Sequence, residues 1–318
     1  MLNARNPMAP QPRTLFGRTA AITGGARGIG RETARALLAE GMRVAIGDID
    51  LDLAKATAAE LGHDGQVIAL PLDVTDPTSM EAFVADAEEQ LGPLDVFINN
   101  AGIMPIGRFR DETPAGAARQ VDINIHGVLN GARTILPRFT ARHGGHLVNI
   151  ASMAGKLGVP GTATYAGTKH FVVGWSESVL SELRHDGIPV DVTCVMPAVV
   201  RTELSAGAKA TRGVKDVGPD DVADGIVSAL KVPRFDVFVP RIGGTAAKIS
   251  AVLPRRGREL LARATKADVT LLEADTSKRG AYELRAAQSP PRQVQAASDA
   301  DALTAPAEAR RPAEEPGA

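Results

Sequence analysis

A short apolar run, Arg18-Thr19-Ala20-Ala21-Ile22-Thr23, passes directly into Gly24-Gly25-Ala26-Arg27-Gly28-Ile29-Gly30 and then into a helical stretch that ends near Glu40. A strand, a glycine turn and a helix in immediate succession leave few folds open. Glycines let the backbone turn tightly and approach a pyrophosphate, whose charge meets the N–H groups at the helix start. Glycine clusters also serve plain turns, so the flanking sequence decides. A second strand, Arg43 to Asp48, follows, and Asp48 comes eighteen residues after Gly30, near the spacing at which an acid holds an adenosine ribose diol. The same carboxylate could instead cap the next helix.

Leu51 to Leu61 reads as a helix, Gln66 to Leu70 as a third strand, and Asp73-Val74 stands at its end, which completes a β-α-β-α-β half. Met80, Phe83, Val84 and Ala87 recur at helical spacing within Thr78 to Gln90. A fourth strand, Leu94 to Ile98, runs into Asn99-Asn100-Ala101-Gly102, which suits a turn against a nucleotide and equally an ordinary loop. The apolar run His146 to Ala151 reads as a buried strand and puts Ser152 at the carboxyl edge of a sheet, where open α/β folds bind ligands. Tyr165 and Lys169 are four apart and share one helix face, so their polar ends can converge. A phenol has a pKa of about 10, and a nearby ammonium favours the phenolate. A lone Y-x-x-x-K also occurs on solvated helices, where it does nothing.

Taken together, T-G-x-x-x-G-x-G at Thr23 to Gly30, N-N-A-G at Asn99 to Gly102, and a serine thirteen residues before Y-x-x-x-K resemble the short-chain dehydrogenase/reductase family, over about Leu15 to Pro240. The resemblance implies a doubly wound Rossmann-type α/β fold, a seven-stranded parallel sheet in the order 3-2-1-4-5-6-7 with helices on both faces. It implies hydride transfer between a nicotinamide cofactor and an alcohol or carbonyl substrate, a ketone or aldehyde, and a lipophilic one, since relatives acting on retinoid- or steroid-like alcohols commonly carry an extension after the seventh strand. Tyr165 would be the acid/base, and Lys169 would bind the nicotinamide ribose and lower the phenol's pKa. Ser152 would hold the substrate oxygen, and Asn124 would anchor a water in a proton relay. The cofactor would meet Gly24, Arg27, Gly28, Ile29, Gly30, Asp48, Asp73, Val74, Asn100, Ala101, Gly102, Pro197, Val200 and Thr202, besides Tyr165 and Lys169. Ala198 departs from the family's P-G-x-x-x-T. NAD is expected over NADP, because Asp48 repels a 2′-phosphate while Arg27 turns to solvent or to Asp48 itself. An NADPH-dependent carbonyl reductase and a non-catalytic dinucleotide-binding protein are the other readings. Relatives pair the helices of Asn124 and Tyr165 across a dimer, which implies a homodimer or homotetramer.

Four segments are expected in the 318 residues: a flexible leader at 1–13, one domain at 14–240, a basic amphipathic extension at 241–285 and a disordered tail at 286–318. A net charge of −1 favours neither nucleic acid nor an anionic membrane as partner. The single cysteine, Cys194, excludes an intramolecular disulfide and fits packing in a strand. No apolar run reaches the roughly 18 residues a spanning helix needs, the start lacks a signal-peptide pattern, and a cytoplasmic protein is expected. The histidines show no metal-ligand grouping, so no metal is expected. Ser205 to Val217 reads as a mobile substrate lid. In Arg241 to Lys266, Ile249, Val252, Leu253, Leu260 and Leu261 alternate with basic residues. Such a segment can cover an apolar pocket, pack on a partner subunit, touch a membrane surface peripherally, or lie solvated on its own domain.

Overall fold

The computed structural model describes residues 12–62, 65–209, 217–266 and 269–288. Seven strands, β1 Thr19–Thr23, β2 Arg43–Asp48, β3 Val67–Pro71, β4 Val96–Asn99, β5 Gly145–Ile150, β6 Val190–Pro197 and β7 Asp236–Val239, form one parallel sheet in the order 3-2-1-4-5-6-7. Their near-continuous apolar sequences follow from burial on both faces. One face packs beneath α1 Gly28–Ala39 and α7 Pro219–Lys231, where Ile22, Leu37, Ile46, Val195 and Ile226 meet. The other packs beneath α3 Pro77–Leu91 and α5 Gly127–Ala141, with Phe83, Phe97, Ile135 and Phe139 at its centre. Between β1 and β4 the order reverses, and the crevice at that switch point is where such sheets bind ligands. Among the described residues no helix is long and apolar enough to cross a membrane. Cys194 is buried in β6, and burial pushes its thiol up to about 12, as a packing cysteine requires.

The helical stretch that carries Asn124 is divided. An α-helix, α4 Pro114–Val121, capped by Thr113, gives way to a π turn at Asp122–His126, in which the Gly127 N–H bonds to the Asp122 carbonyl, before α5 begins. Asn124 lies inside the turn and is fully buried. Such wide turns are rare and collect at functional positions.

The extension also differs from its sequence pattern. It forms two helices, α8 Ile242–Val252 and α9 Arg255–Thr265, broken where Pro254 restricts Leu253 to an extended conformation. A third, α10 Gly280–Gln288, follows α2 Leu51–Leu61 and α6 Ala163–His185 in completing the set. The apolar stripe does not pack inward: Val252 and Leu260 are 82% and 69% exposed. Ala286, placed at the head of a tail by composition, is instead buried within α10. Residues 289–318 of that tail and residues 210–216 of the expected lid lie outside the described residues.

One buried histidine couples the sheet to pH. His146 in β5 sits opposite Val96 and Asp191 of its neighbours, and its Nε2 is 2.7 Å from Thr193 Oγ1. Thr193 gives its own proton to the Arg234 carbonyl, so the imidazole Nε2 is the donor. Burial lowers this imidazole's pKa from 6.5 to about 4, against the opposing pull of Asp191. Between those values the unfolded chain binds a proton that the folded chain refuses, so stability falls as pH falls through that window. The expected loss is about 3 kcal/mol, at about 1.36 kcal/mol per unit. Urea melts at pH 6.5 and pH 4 should show a smaller difference for His146→Gln than for the native chain; equal differences would refute the assignment.

Candidate active site

The loops at the carboxyl edge of the sheet enclose a cleft of about 2200 Å³. Its floor is the turn from β1 into α1. Thr23 Oγ1 accepts hydrogen bonds from the Asn100 and Ala101 N–H groups, both at 3.0 Å, and the Asn100 amide donates to the Thr23 and Gly24 carbonyls, both at 2.9 Å. The two loops flanking the switch point are thereby held as one surface. Gly30 has no room for a side chain, since a Cβ there would lie 2.3 Å from the Gly24 carbonyl oxygen. Gly28, at φ +54°, is open: its nearest neighbour would be the Thr202 methyl at 3.5 Å, so a side chain would project into the cleft beneath Thr202. Helix α1 begins there with no side-chain cap and no acid in its first turn. Unpaired N–H groups facing an open cradle fit the pyrophosphate of a dinucleotide.

At one end of the cleft lie Asp48 and Asp73. Asp48 accepts hydrogen bonds from the Ala26 and Asp50 N–H groups, both at 3.1 Å. Helix α2 is capped by Asp50, whose Oδ1 accepts from the Leu53 N–H at 3.2 Å, so Asp48 is not the cap. Arg27 stays partly exposed and does not turn to Asp48. It pairs with Asp50 at 2.8 Å and with Glu203 at 3.5 Å, the latter reaching over from the loop after β6. The Asp73 Oδ1 accepts from the Thr75 N–H and hydroxyl at 2.9 and 2.7 Å, which fixes the carboxylate at the tip of β3.

At the other end stand Ser152, Tyr165 and Lys169. The Ser152 Oγ accepts from the Ala154 N–H at 3.1 Å, which begins the short turn Met153–Gly155 and fixes the hydroxyl's direction. It donates to the Pro197 carbonyl at 3.5 Å and faces the Tyr165 phenol. Tyr165 is 7% exposed and Lys169 4%. The Lys169 Nζ donates to the Ile150 carbonyl at 2.7 Å and lies 5.7 Å from the centre of the Tyr165 ring. The phenol's pKa does not fall. Burial pushes it up to about 12, opposed only by the Ser152 hydroxyl, and the same burial brings Lys169 down to about 8. The tyrosine is therefore a protonated phenol at neutral pH.

Asn124 stands behind this wall. Its amide clamps the loop after β4, accepting from the Ile103 N–H at 2.8 Å and donating to the Ile103 carbonyl at 2.9 Å and to Thr168 Oγ1 at 3.1 Å. Gly102 separates it from the lysine: a Cβ there would lie 3.1 Å from Asn124 Oδ1 and 3.7 Å from Lys169 Nζ. Gly24, Arg27, Gly28, Ile29, Asp48, Asp73, Val74, Asn100, Ala101, Gly102, Ser152, Tyr165, Lys169, Pro197, Val200 and Thr202 all line the cleft; Gly30 and Asn124 support it from behind.

Motif reading passes over the residues that close the cleft beyond Tyr165. Arg279 is fully buried, donates to the Met104 carbonyl at 2.7 Å and to the Leu204 carbonyl, and pairs with Glu283 at 2.9 Å. The Tyr282 hydroxyl accepts from the Met104 N–H at 2.7 Å, and its ring lies 4.7 Å from the Arg279 guanidinium. Leu271 packs with Met104, Ala154 and Tyr165. These residues tie the loops after β4 and β6 together from the far end of the chain. A signal was present, because Tyr282 is one of only two tyrosines in the sequence.

A parallel sheet of this order, with a glycine-floored cleft at its switch point, defines the class of doubly wound dinucleotide-binding folds. Residues 18–213 match the short chain dehydrogenase family, and the chain belongs to it. It is 37% identical over 244 residues to the probable oxidoreductase EphD of Mycobacterium tuberculosis, covering 70% of this chain and 41% of that protein. The chain thus spans less than half the length of that relative. It is 33% identical over 230 residues to the ketoacyl reductase HetN of Nostoc sp., covering 71% of this chain and 79% of that one. A crystal structure of a short chain dehydrogenase/reductase from Burkholderia phymatum in complex with NAD superposes with a TM-score of 0.69 at 26% identity, covering 75% of this chain and 94% of that one.

Proposed function

We propose that this chain interconverts a lipophilic alcohol and its carbonyl compound, with Tyr165 as the acid/base and NAD as the preferred cofactor. The observation that carries the reading is the placing of Ser152, Tyr165 and Lys169 on one lip of a cleft whose floor is the glycine turn. A bound nicotinamide dinucleotide supplies the hydride donor or acceptor, and Gly28, the start of α1, Asp48 and Lys169 would hold it. Ser152 would orient the substrate oxygen toward the phenol. In reduction Tyr165 gives its proton to the carbonyl oxygen; in oxidation the same oxygen takes the hydroxyl proton. Carbonyl reduction is the second reading, in line with the name of the Nostoc relative.

Two carboxylates, Asp50 and Glu203, pair with Arg27 at the adenosine end, and a third, Asp48, accepts from the N–H of the neighbouring Ala26. A 2′-phosphate of about −1.5 to −2 charge, by analogy with protein phosphates, would meet more negative charge than positive there. Initial rates with a panel of long and short secondary alcohols, and with the matching ketones, should show higher kcat/KM with NAD(H) than with NADP(H). Asp48→Ala should shrink that preference by about tenfold or more, the scale of one charged hydrogen bond. Preference for NADP in the native chain, or an unmoved ratio in the variant, would overturn the cofactor reading, and no turnover of any pair would overturn the enzyme reading.

A further inference from the structure

Helix α9 faces the cleft with its charged side. The residues it contributes to the rim of the cleft, Arg255, Arg258, Glu259, Ala262, Arg263 and Thr265, fall at the three- and four-residue spacing of a single helix face, and the charged ones among them are exposed, as is Leu260 on the other side. Arg255 is paired with Glu259 at 3.1 Å, but Arg258 and Arg263 have no carboxylate partner among the described residues. Helix α8, one turn of chain earlier, lines the same cleft with Ile242, Gly243, Ala246 and Ser250, a small and mostly apolar face. Gly243 abuts Met153, where a Cβ would lie 3.2 Å from the sulfur, so α8 begins beside the Ser152 turn. The lining therefore runs from the acid/base at Tyr165, along an apolar wall, to a cationic face.

The cleft's size agrees with this order. At about 2200 Å³ it exceeds the roughly 300–1,000 Å³ of a usual small-molecule site, which leaves space beside a dinucleotide for a long substrate. We infer that the substrate is an amphiphile: a hydroxyl or carbonyl group at Tyr165, a hydrocarbon stretch along α8, and an anionic oxygen group, carboxylate or phosphate, on Arg258 and Arg263 of α9. Guanidinium groups suit both anions through paired N–H donors. The inference rests on the assignment of Tyr165 as the reacting end.

The test uses the full chain with NAD and three sets of probes at chain lengths from about eight to sixteen carbons: ω−1 hydroxy fatty acids, their methyl esters, and the corresponding hydroxyalkyl phosphates. At low salt, kcat/KM for one or both anionic sets should exceed that of the esters by about tenfold or more, carried by KM, the scale of a hydrogen bond to a charged group. Added salt should weaken the advantage. In Arg258→Gln/Arg263→Gln, with folding checked by circular dichroism, the ratio of anion to ester should fall toward one. Whether carboxylate or phosphate gains more identifies the source of the anion. Esters handled as well as acids at every length, or a ratio that survives in the double variant, would overturn the inference. Should no probe be turned over, the enzyme reading fails separately. Calorimetric titration of the unreactive dodecanoate and dodecyl phosphate then decides: tighter binding to the native chain than to the double variant supports the anion site, and equal or absent binding refutes it.

Discussion

Tyr165→Phe is expected to lose about 10²- to 10⁴-fold in kcat while NAD still binds, because the substitution removes only the oxygen that carries the proton. The ring keeps its surroundings of Met104, Ala154, Ala166 and Leu271, so the pocket's shape is retained. The Ser152 hydroxyl keeps its bonds to the Ala154 N–H and the Pro197 carbonyl and still points from the end of β5. Steady-state rates would be measured beside a calorimetric titration of cofactor. Activity within about tenfold of the native chain would remove Tyr165 from the acid/base role, whatever the cofactor titration gave.

Arg279→Met should release the segment 269–288 without unfolding the domain. The guanidinium is wholly buried and serves two carbonyls and Glu283, and breaking such a buried charged contact costs roughly 3–5 kcal/mol. Among the described residues neither sheet core contains one beyond Val239, so the loss falls on the latch and not on the sheet. Hydrogen exchange in 269–288 and at the Met104 amide should quicken by at least about 10²-fold, while the sheet amides keep their protection. Unchanged exchange in that segment would mean that Tyr282 and Leu271 hold it alone. The KM of a bulky alcohol should change with the same substitution, since Met104 and Leu204 line the cleft that Arg279 braces.

The strands were legible because a sheet buried on both faces writes each strand as an unbroken apolar run, and the candidate site because its groups sit in short loops at the carboxyl ends of those runs. Ser152, Tyr165 and Lys169 are close in sequence, and local periodicity alone brings Tyr165 and Lys169 to one helix face. What stayed hidden depends on partners far away in the chain. The Arg279 guanidinium meets the Met104 carbonyl across 175 positions, and no local pattern announces such a pairing. The direction of the phenol's pKa was hidden for the same reason. A lysine four residues away argues for a lower value, but the burial that reverses it comes partly from Leu271, far along the chain. Arg27 found Asp50 and Glu203 in place of Asp48 because the loop after β6 folds over the turn, which spacing along β2 does not reveal.

The π turn at Asp122–His126 sets the angular phase between α4 and α5. An α-helix advances about 100° per residue, and a turn closed by a bond five residues apart holds one residue more than an α turn. The faces of α4 and α5 are therefore offset by about that angle, which a straight helix of the same composition could not provide. Phe139 and Ile135 lie in the sheet core on one side of the offset, and Asn124 reaches Ile103 from within it. Substituting a residue in this stretch alters one side chain. Removing a residue would close an ordinary turn, swing α4 about the helix axis and carry the Asn124 amide off the loop it clamps, so here the chain is sensitive to length before it is sensitive to identity.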